Sequence, residues 1–229
     1  MSDAQFDAVQ SGYEAIVEQS ISFSGLKHDF FMAAKADLLQ NIVARHFETP
    51  RALDLLDIGC GVGRLHPHLH GKFASITGSD VSDKSVERAR RDNPFASYDT
   101  SGPDGLPYAD GHFDIALTVC VMHHVPPAEW GAFLKEMRRV VRPGGLAVVI
   151  EHNPFHPLTR LAVARCPFDA DAVLLSQRRT RREMLAAGFS SVDVQNFLFL
   201  PTAAPIARRL ERSLAKLPFG AQYAAVGVV

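Results

Sequence analysis

The sequence predicts an α/β fold of the doubly wound kind, with a mostly parallel sheet covered by helices on both faces. Three observations lead to this prediction. Short apolar runs alternate with helical patterns between residues 51 and 151, which is typical of parallel sheets. The first run ends in a cluster of glycines, at the position where α/β sheets bind ligands. The composition of the 229 residues, 47% hydrophobic and 21% charged, is that of a globular protein with one substantial core.

Seven short apolar runs predict strands, and a 3.6-residue period predicts helices between and before them. The predicted strands lie at residues 51–59, 73–81, 95–99, 112–122, 146–151, 191–200 and 222–229. The predicted helices lie at residues 7–18, 28–47, 82–91, 127–141 and 180–189, with a short one from Arg64. Ser82 is the expected N-cap of the 82–91 helix, and the "RPGG" at 142–145 is expected to end the 127–141 helix.

The chain reads as a single domain, 1–229, with two special segments. Residues 1–50 are predicted to form an N-terminal helical cap that covers a sheet edge or roofs the site. Residues 153–177 contain three prolines and no clear period, and loops of this length are usually functional. We therefore expect 153–177 to be an inserted segment on the substrate side of the sheet.

Charge and composition exclude several classes of partner. The net charge of −1 argues against broad attraction to nucleic acid or to membrane surfaces. No apolar run approaches the roughly 20 residues of a membrane span, and the acidic N-terminus does not resemble a secretory signal. The three cysteines, Cys60, Cys120 and Cys166, are widely separated and form no CxxC pair. We expect reduced thiols in a cytoplasmic protein.

The glycine cluster follows the pattern Asp57-x-Gly59-x-Gly61-x-Gly63, directly after a strand. A dinucleotide fingerprint, GxGxxG, needs a glycine at position 64, which is Arg64 here, so a nicotinamide-dependent oxidoreductase is disfavoured. An aspartate beside the loop is unfavourable for a pyrophosphate. It suits a ligand with positive charge or hydroxyl donors, such as a sulfonium with an amino-acid tail.

From about residue 52 to 151 the sequence resembles the class I S-adenosylmethionine-dependent methyltransferases that act on small molecules, of the "methyltransferase domain type 11" kind. "LLDIGCGVGRL" resembles the first motif of that family and "ITGSDVS" the second. "LPYADGHFDIALTVCVMHHV" and "MRRVVRPGGLAVVIE" resemble the fourth motif and the helix, turn and strand that follow. The resemblance implies a seven-stranded sheet with a reversed last strand and S-adenosylmethionine as cofactor.

The resemblance also implies the cofactor contacts. Asp80 would hold the ribose diol, and Asp99 and Thr100 would lie at the adenine. Outside the resemblance, Lys35 of the N-terminal helix is a candidate to clamp the cofactor carboxylate. The full set of candidates is Lys35, Asp57, Gly59, Cys60, Gly61, Gly63, Asp80, Val81, Asp99, Thr100, Val119 and Cys120. Simpler roles remain open: a helix or turn cap for Asp57 and Asp80, turn chemistry for Asp99, and a solvated helix face for Lys35.

The candidate catalytic residues follow two strands at the edge where open sheets bind ligands. They are His123, His124, Glu151 and His152. A histidine there would act as a general base near neutral pH, or would have a structural or cofactor-contacting role. A fold relative that binds the cofactor without catalysis is a further alternative.

Two other clusters have simpler readings. His66, His68 and His70 suggest a metal, but only His66 and His70 share a helix face and no acidic or cysteine ligand is suitably spaced. We therefore predict no metal. The arginines of 178–182 either form a solvated helix face or bind an anionic group of the substrate.

The acceptor is predicted to be a small molecule, such as a saccharide, a lipid-linked intermediate or a secondary metabolite. The motifs of nucleic-acid methyltransferases are absent: Pro126 and Pro127 follow a valine, and the order Cys166-Pro167 is reversed from Pro-Cys. We expect 153–177 and the N-terminal helices to enclose the acceptor. The apolar residues expected in the pocket are Phe155, Leu158, Phe168 and Leu174. Alternatively, this stretch packs on the far face of the sheet or forms a dimer contact.

Overall fold

A computed structural model describes residues 13–102, 105–200, 202, 211 and 213–229. Its strands are β1 (Asp54–Ile58), β2 (Ser75–Asp80), β3 (Ser97–Thr100), β4 (Phe113–Val119), β5 (Val141–His152), β6 (Ser191–Phe197) and β7 (Gln222–Val228). They form one sheet in the order β3-β2-β1-β4-β5-β7-β6. The pairs from β3 to β5 are parallel, whereas β7 is antiparallel to both β5 and β6. The predicted seven-stranded sheet with a reversed last strand is therefore confirmed.

Helices cover both faces of this sheet. They are α1 (Tyr13–Ile21), α2 (His28–His46), α3 (His66–Leu69), α4 (Asp83–Asp92), α5 (Trp130–Arg139), α6 (Pro157–Arg165) and α7 (Gln177–Ala186). Short 3-10 turns lie at Ser22–Ser24, Pro50–Ala52, Met122–His124 and Pro167–Asp169. Part of the predicted 7–18 helix, residues 7–12, lies outside the described residues.

The core has two layers because successive strand residues point to opposite faces. On one face, Leu39 of α2 packs with Leu55 and Ile115. On the other face, α5 and α7 pack against the neighbouring positions Leu56 and Ala116. The alternation in β1 and β4 thus separates two apolar layers and fixes which helices lie on which side.

The predicted bounds of α5 and α7 differ from those in the structure. The helix α5 ends at Arg139, and residues 142–145 lie within β5, where the pairing with β4 shifts from Val141 to Leu146. Gly145 permits this bulge because a Cβ there would lie 2.5 Å from the Asp114 carbonyl oxygen. The helix α7 begins earlier than predicted, and its N-cap is Ser176, whose hydroxyl accepts the Arg179 N–H at 3.3 Å.

The two special segments meet above the sheet. The hydroxyl of Ser20 in α1 donates to the Arg165 carbonyl in α6 at 3.3 Å. Segment 153–177 begins at the buried Asn153, whose amide donates to the Pro218 and Gly220 carbonyls at 3.0 and 2.8 Å. Among the helices that the structure describes, none combines the length and apolar character that a membrane crossing requires.

Candidate active site

A cavity of about 970 Å³ lies at the carboxyl ends of the parallel strands. Its floor is formed by the glycine loop after β1, by Asp80 at the end of β2, and by residues 119–121 after β4. Its roof comes from α2 and from the segment 153–177. The cavity therefore lies between the sheet and both segments that the sequence places over the site.

The glycine loop needs backbone conformations that other residues rarely adopt. Gly59, Gly61 and Gly63 have φ values of +74°, +52° and +71°. The N–H groups of Gly59 and Cys60 both donate to the Ser79 carbonyl, at 2.7 and 3.0 Å. A Cβ on Gly61 would meet no atom within 4 Å, so its backbone is open to the cavity that it lines. A ligand can therefore lie directly against the main chain at this glycine.

Asp80 is held beside this loop by its own acceptor oxygens. Its Oδ2 accepts the Gly61 N–H at 2.8 Å and its Oδ1 accepts the Ser82 N–H at 3.0 Å. The N-cap of α4 is Ser82, as predicted, since its hydroxyl accepts the Ser85 N–H at 3.2 Å. Asp80 is therefore not the cap, and its carboxylate lines the cavity. Burial raises the pKa of this carboxyl, although backbone N–H groups partly oppose the shift.

Asp57 is buried in the cavity wall and is only half satisfied. It is 3% exposed, and its Oδ2 lies 3.1 Å from the His66 Nε2. The His66 Nδ1 in turn lies 2.5 Å from the Tyr98 hydroxyl oxygen. The Asp57 Oδ1 has no hydrogen-bond partner among the described residues. A buried carboxylate oxygen without a partner is costly, so a donor or cation bound in the cavity would stabilise it.

The three histidines of the apparent cluster point to different partners. His66 bridges Asp57 and Tyr98, whereas the His68 Nε2 lies 2.9 Å from the Asp29 carboxylate. The His70 ring stacks on Phe95 with centroids 4.1 Å apart. The three side chains therefore do not converge on one point, although they lie close together in the sequence.

The two residues assigned to the adenine have protein partners. The Tyr108 hydroxyl donates to the Asp99 Oδ2 at 3.1 Å, and the Thr100 hydroxyl donates to the Asp83 carboxylate at 2.6 Å. The cavity is lined by the next two residues, Ser101 and Gly102. The sequence analysis missed both, although their position directly after β3 was a usable signal. The adenine role of Asp99 and Thr100 stays a prediction.

Lys35 faces inward, and the alternative of a solvated helix face is wrong. It is 5% exposed, and its Nζ lies 3.7 Å from the Cys120 Sγ. Cys120 has a φ of 57°, and its N–H donates to the Ile150 carbonyl at 2.8 Å. Burial raises the pKa of the Cys120 thiol, but the charges of His152 and Lys35 outweigh burial and lower it to about 7.

The four candidate catalytic residues lie together at the end of β4 and β5. The His123 Nδ1 lies 2.7 Å from the Glu151 Oε2, and both side chains are 1% exposed. The His152 Nδ1 lies 3.2 Å from the Gln222 Nε2, and its ring centroid is 5.3 Å from that of His123. The Glu151 Oε1 has no partner among the described residues. These contacts make one connected polar cluster.

Asp169 completes the cluster and was missed by the sequence analysis. Its Oδ1 lies 3.4 Å from the His123 Nε2 and 3.5 Å from the His124 Nε2. Burial lowers the pKa of His123, but Glu151 and Asp169 outweigh burial and raise it well above its usual value. Burial and the charge of His123 lower the pKa of His124 to about 4. No local signal marks Asp169, because it reaches the histidines only through the fold of the irregular segment.

Apolar side chains also line the cavity. They are Phe30, Phe31 and Met32 of α2, and Leu158 and Phe168 of segment 153–177. Two residues predicted to line the pocket do not: Phe155 is 75% exposed, and Leu174 lines a separate surface pocket of about 390 Å³. Segment 153–177 is also tied to the site, since the Val173 N–H donates to the His123 carbonyl at 2.8 Å.

The arginines of 178–182 lie on α7, outside the residues that line this cavity. The Arg179 Nε lies 2.6 Å from the Glu183 carboxylate, and its guanidinium lies 5.2 Å from the centre of the Trp130 ring. Arg181 donates to the Val192 carbonyl at 3.2 Å. These two arginines have partners within the fold, which favours the helix-face reading over an anion site.

Residues 56–149 match a protein family described as a methyltransferase domain. A 2-methyl-6-phytyl-1,4-hydroquinone methyltransferase of Synechocystis sp. is 33% identical over an alignment of 108 positions that covers 45% of this chain and 33% of that protein. The ubiquinone/menaquinone biosynthesis C-methyltransferase UbiE of Shewanella frigidimarina is 27% identical over an alignment of 241 positions that covers 86% of this chain and 94% of that protein. The chain spans about half or less of the first five relatives, 33% to 54% of their length.

Solved structures have the same fold. An S-adenosylmethionine-dependent methyltransferase from Mesorhizobium loti has a TM-score of 0.59 at 20% identity, covering 82% of this chain and 96% of that chain. The trans-methyltransferase CalH, solved in complex with SAH, has a TM-score of 0.60 at 20% identity, covering 83% of this chain and 55% of that chain. The fold of the chain is that of these solved methyltransferases, and its residues 56–149, which include the glycine loop after β1, are similar to the methyltransferase domain family.

Proposed function

We propose that this chain transfers a methyl group from S-adenosylmethionine to a small acceptor with an oxygen-bearing head and an apolar body, of the hydroquinone type. The observation that carries the proposal is the division of the cavity. One end has the glycine loop and two carboxylates, and the other has a polar histidine cluster followed by apolar walls. A cofactor and a second molecule can thus lie end to end.

The residues of the first end fit the cofactor. The open backbone of Gly61 and the carboxylate of Asp80 suit a ribose, since a carboxylate accepts two hydrogen bonds at once. The unpartnered Asp57 Oδ1 suits a positively charged or donating group. The cofactor supplies an electrophilic methyl group on a sulfonium. Ser101 and Gly102 would border the adenine in place of, or together with, Asp99 and Thr100.

The residues of the second end fit a partly apolar acceptor. The rings of Phe30, Phe31 and Phe168 and the side chain of Leu158 would exclude water from it. His124, His152 and Asp169 would meet its polar head. Two of the relatives are named for a phytyl hydroquinone and for ubiquinone and menaquinone biosynthesis, which supports an acceptor of that chemical class.

The protein has little covalent chemistry to perform in methyl transfer. The chain's part is to align the acceptor oxygen or carbon with the methyl group and to keep water out. A hydroxyl of the acceptor would meet the polar side chains of His124 and Asp169, which line this end of the cavity, and its proton would pass to solvent. The acceptor is a small molecule rather than nucleic acid, in keeping with the net charge of −1. The three free cysteines support a protein that acts in the reducing environment of the cytoplasm.

An acceptor panel tests the proposal. Purified protein is incubated with S-adenosylmethionine and, in parallel, a hydroquinone with a short tail, the same ring with a long tail, a catechol, a fatty acid and a secondary amine. SAH release and product mass are followed by mass spectrometry. We expect methylation of a hydroquinone-type ring above the acceptor-free rate. If the protein binds SAH but methylates none of these acceptors, it is a binding relative without this activity.

A further inference from the structure

We propose that His123, His124 and Asp169 bind a divalent metal ion of the zinc class at the acceptor end of the cavity. The sequence predicts no metal, because no suitable set of ligands lies close together along the chain. The new set joins two adjacent histidines after β4 with a carboxylate from the Pro167–Asp169 turn. The binding stands on geometry alone, whereas its role toward an acceptor rests on the proposed function.

The distances suit a metal better than hydrogen bonds. The Asp169 Oδ1 lies 3.4 Å from the His123 Nε2 and 3.5 Å from the His124 Nε2, and the three ligand atoms all lie within 4.8 Å of one another. Charge-assisted N–H···O bonds are normally about 2.7–2.9 Å long. Ligands bound tetrahedrally at about 2.0–2.1 Å are separated by roughly 3.4 Å. The two spacings therefore match edges of a tetrahedral ligand shell.

Glu151 supplies the second, independent observation. A histidine that ligates a metal almost always donates its other ring N–H to a carboxylate or carbonyl, which fixes the tautomer. The His123 Nδ1 lies 2.7 Å from the Glu151 Oε2. The other ring nitrogen, Nε2, lies on the side of Asp169 and is the atom that would ligate the metal ion. Glu151 is buried, and its other oxygen has no partner among the described residues. Glu151 is thus a positioning residue in an environment that favours nearby positive charge.

The ion would have an open coordination position. Three protein ligands with a free fourth position are typical of catalytic rather than structural zinc sites. All three proposed ligands line the cavity, so the fourth position would face the acceptor. An acceptor hydroxyl bound there would lose its proton to solvent more easily. The resulting oxygen would form the bond to the methyl carbon, while the sulfur keeps the electron pair of the bond that breaks.

Metal titration without cofactor or acceptor tests the site. Protein stripped with a chelator is titrated with Co²⁺, whose visible bands report tetrahedral ligands, and with Zn²⁺ in competition. We expect one ion per chain. Asp169→Asn and His124→Asn should each weaken binding more than tenfold, and Glu151→Gln by roughly 10- to 100-fold. His68→Asn, a change at the partly exposed histidine beside Asp29, is the control and should leave binding unchanged.

Circular dichroism verifies that each variant is folded. If a ligand variant fails to fold, the site is tested with wild-type protein instead. Bound Zn²⁺ should then protect His124 from modification by diethylpyrocarbonate, whereas His68 should still be modified. Absence of stoichiometric binding, or unchanged affinity in both folded ligand variants, would overturn the metal site. The two proposals separate cleanly. Metal binding without methylation of any acceptor contradicts the proposed function alone, whereas methylation by protein that binds no metal contradicts the metal site alone.

Discussion

At the scale of single residues, the proposed site depends on a few positions where a change of backbone conformation or of charge is expected to weaken ligand binding. Gly61 and Gly71 both have positive φ, +52° and +71°, and a Cβ on either would meet no atom within 4 Å. Only Gly61 lines the cavity. Alanine variants of the two glycines therefore distinguish two effects. One is the strain of an alanine in a left-handed conformation, and the other is the loss of open backbone beside the ligand.

Gly61→Ala and Gly71→Ala are expected to lower the free energy of unfolding by similar amounts, about 1–2 kcal/mol, because both force alanine to positive φ. Only Gly61→Ala should weaken SAH binding, by about tenfold or more, a change of about 1.4 kcal/mol. Thermal denaturation and calorimetry measure the two effects. Equal SAH affinity in the two variants would mean that the ligand does not approach Gly61.

Asp80→Asn is expected to reduce SAH affinity by about 1.5–3 kcal/mol, the range for hydrogen bonds to charged groups. The matched control is Asp83→Asn, three residues on, whose carboxylate binds the Thr100 hydroxyl and does not line the cavity. Calorimetry on both variants measures the difference. A dissociation constant that stays the same in Asp80→Asn would assign Asp80 to the fold of the loop only.

The thiol of Cys120 should titrate near pH 7 because His152 and Lys35 together outweigh the effect of burial on its pKa. Alkylation by iodoacetamide, resolved by peptide mapping, should therefore rise through pH 7 at Cys120. Cys166 is the internal control, because burial raises its thiol pKa to about 11. In Lys35→Met the Cys120 profile should move to higher pH, since one of the lowering charges is removed. An unmoved profile would contradict the contact between Lys35 and Cys120.

At the scale of elements, the roof of the cavity is fastened at a few buried polar points. Asn153 is 0% exposed, and its amide reaches two carbonyls of the loop before β7. Its Oδ1 also accepts the Phe155 N–H at 3.1 Å. This one side chain thus ties the start of segment 153–177 to the last strand.

Asn153→Ala is expected to lower the free energy of unfolding by about 1–3 kcal/mol, because it leaves the buried Gly220 carbonyl without this donor. For a chain of this size the melting temperature should fall by roughly 2–4 °C per kcal/mol. Asn41→Ala is the control, because that amide lies on an exposed part of α2. Calorimetric melting compares the two, and an equal melting temperature would contradict the anchoring role of Asn153.

The elements also show what could be predicted from local patterns. The strands, the glycine loop and the Ser82 cap follow from periodicity and short-range rules, and they agree with the structure. The bulge at Gly145 was missed because the close approach of the Asp114 carbonyl comes from a neighbouring strand. The burial of Lys35 and the position of Asp169 depend likewise on how distant segments pack, and no sequence period records that.

At the scale of the whole molecule, one continuous sheet presents the ends of its parallel strands to one cavity. The reversed β7 brings Gln222 beside His152, and the segment after β5 brings Asp169 beside His123. The residues proposed to bind the cofactor therefore come from the first half of the sheet, and those proposed to meet the acceptor come from the second half and from the roof. This division is the basis of the proposed transfer.

The proposed function depends most directly on the identity of the cofactor, and calorimetric titration of the full chain with SAH and with NADH tests that identity. We expect one SAH bound per chain, competition between SAH and S-adenosylmethionine for that site, and no comparable affinity for NADH, because Arg64 stands where a dinucleotide loop needs glycine. Tight binding of NADH together with no binding of SAH would contradict the proposed function.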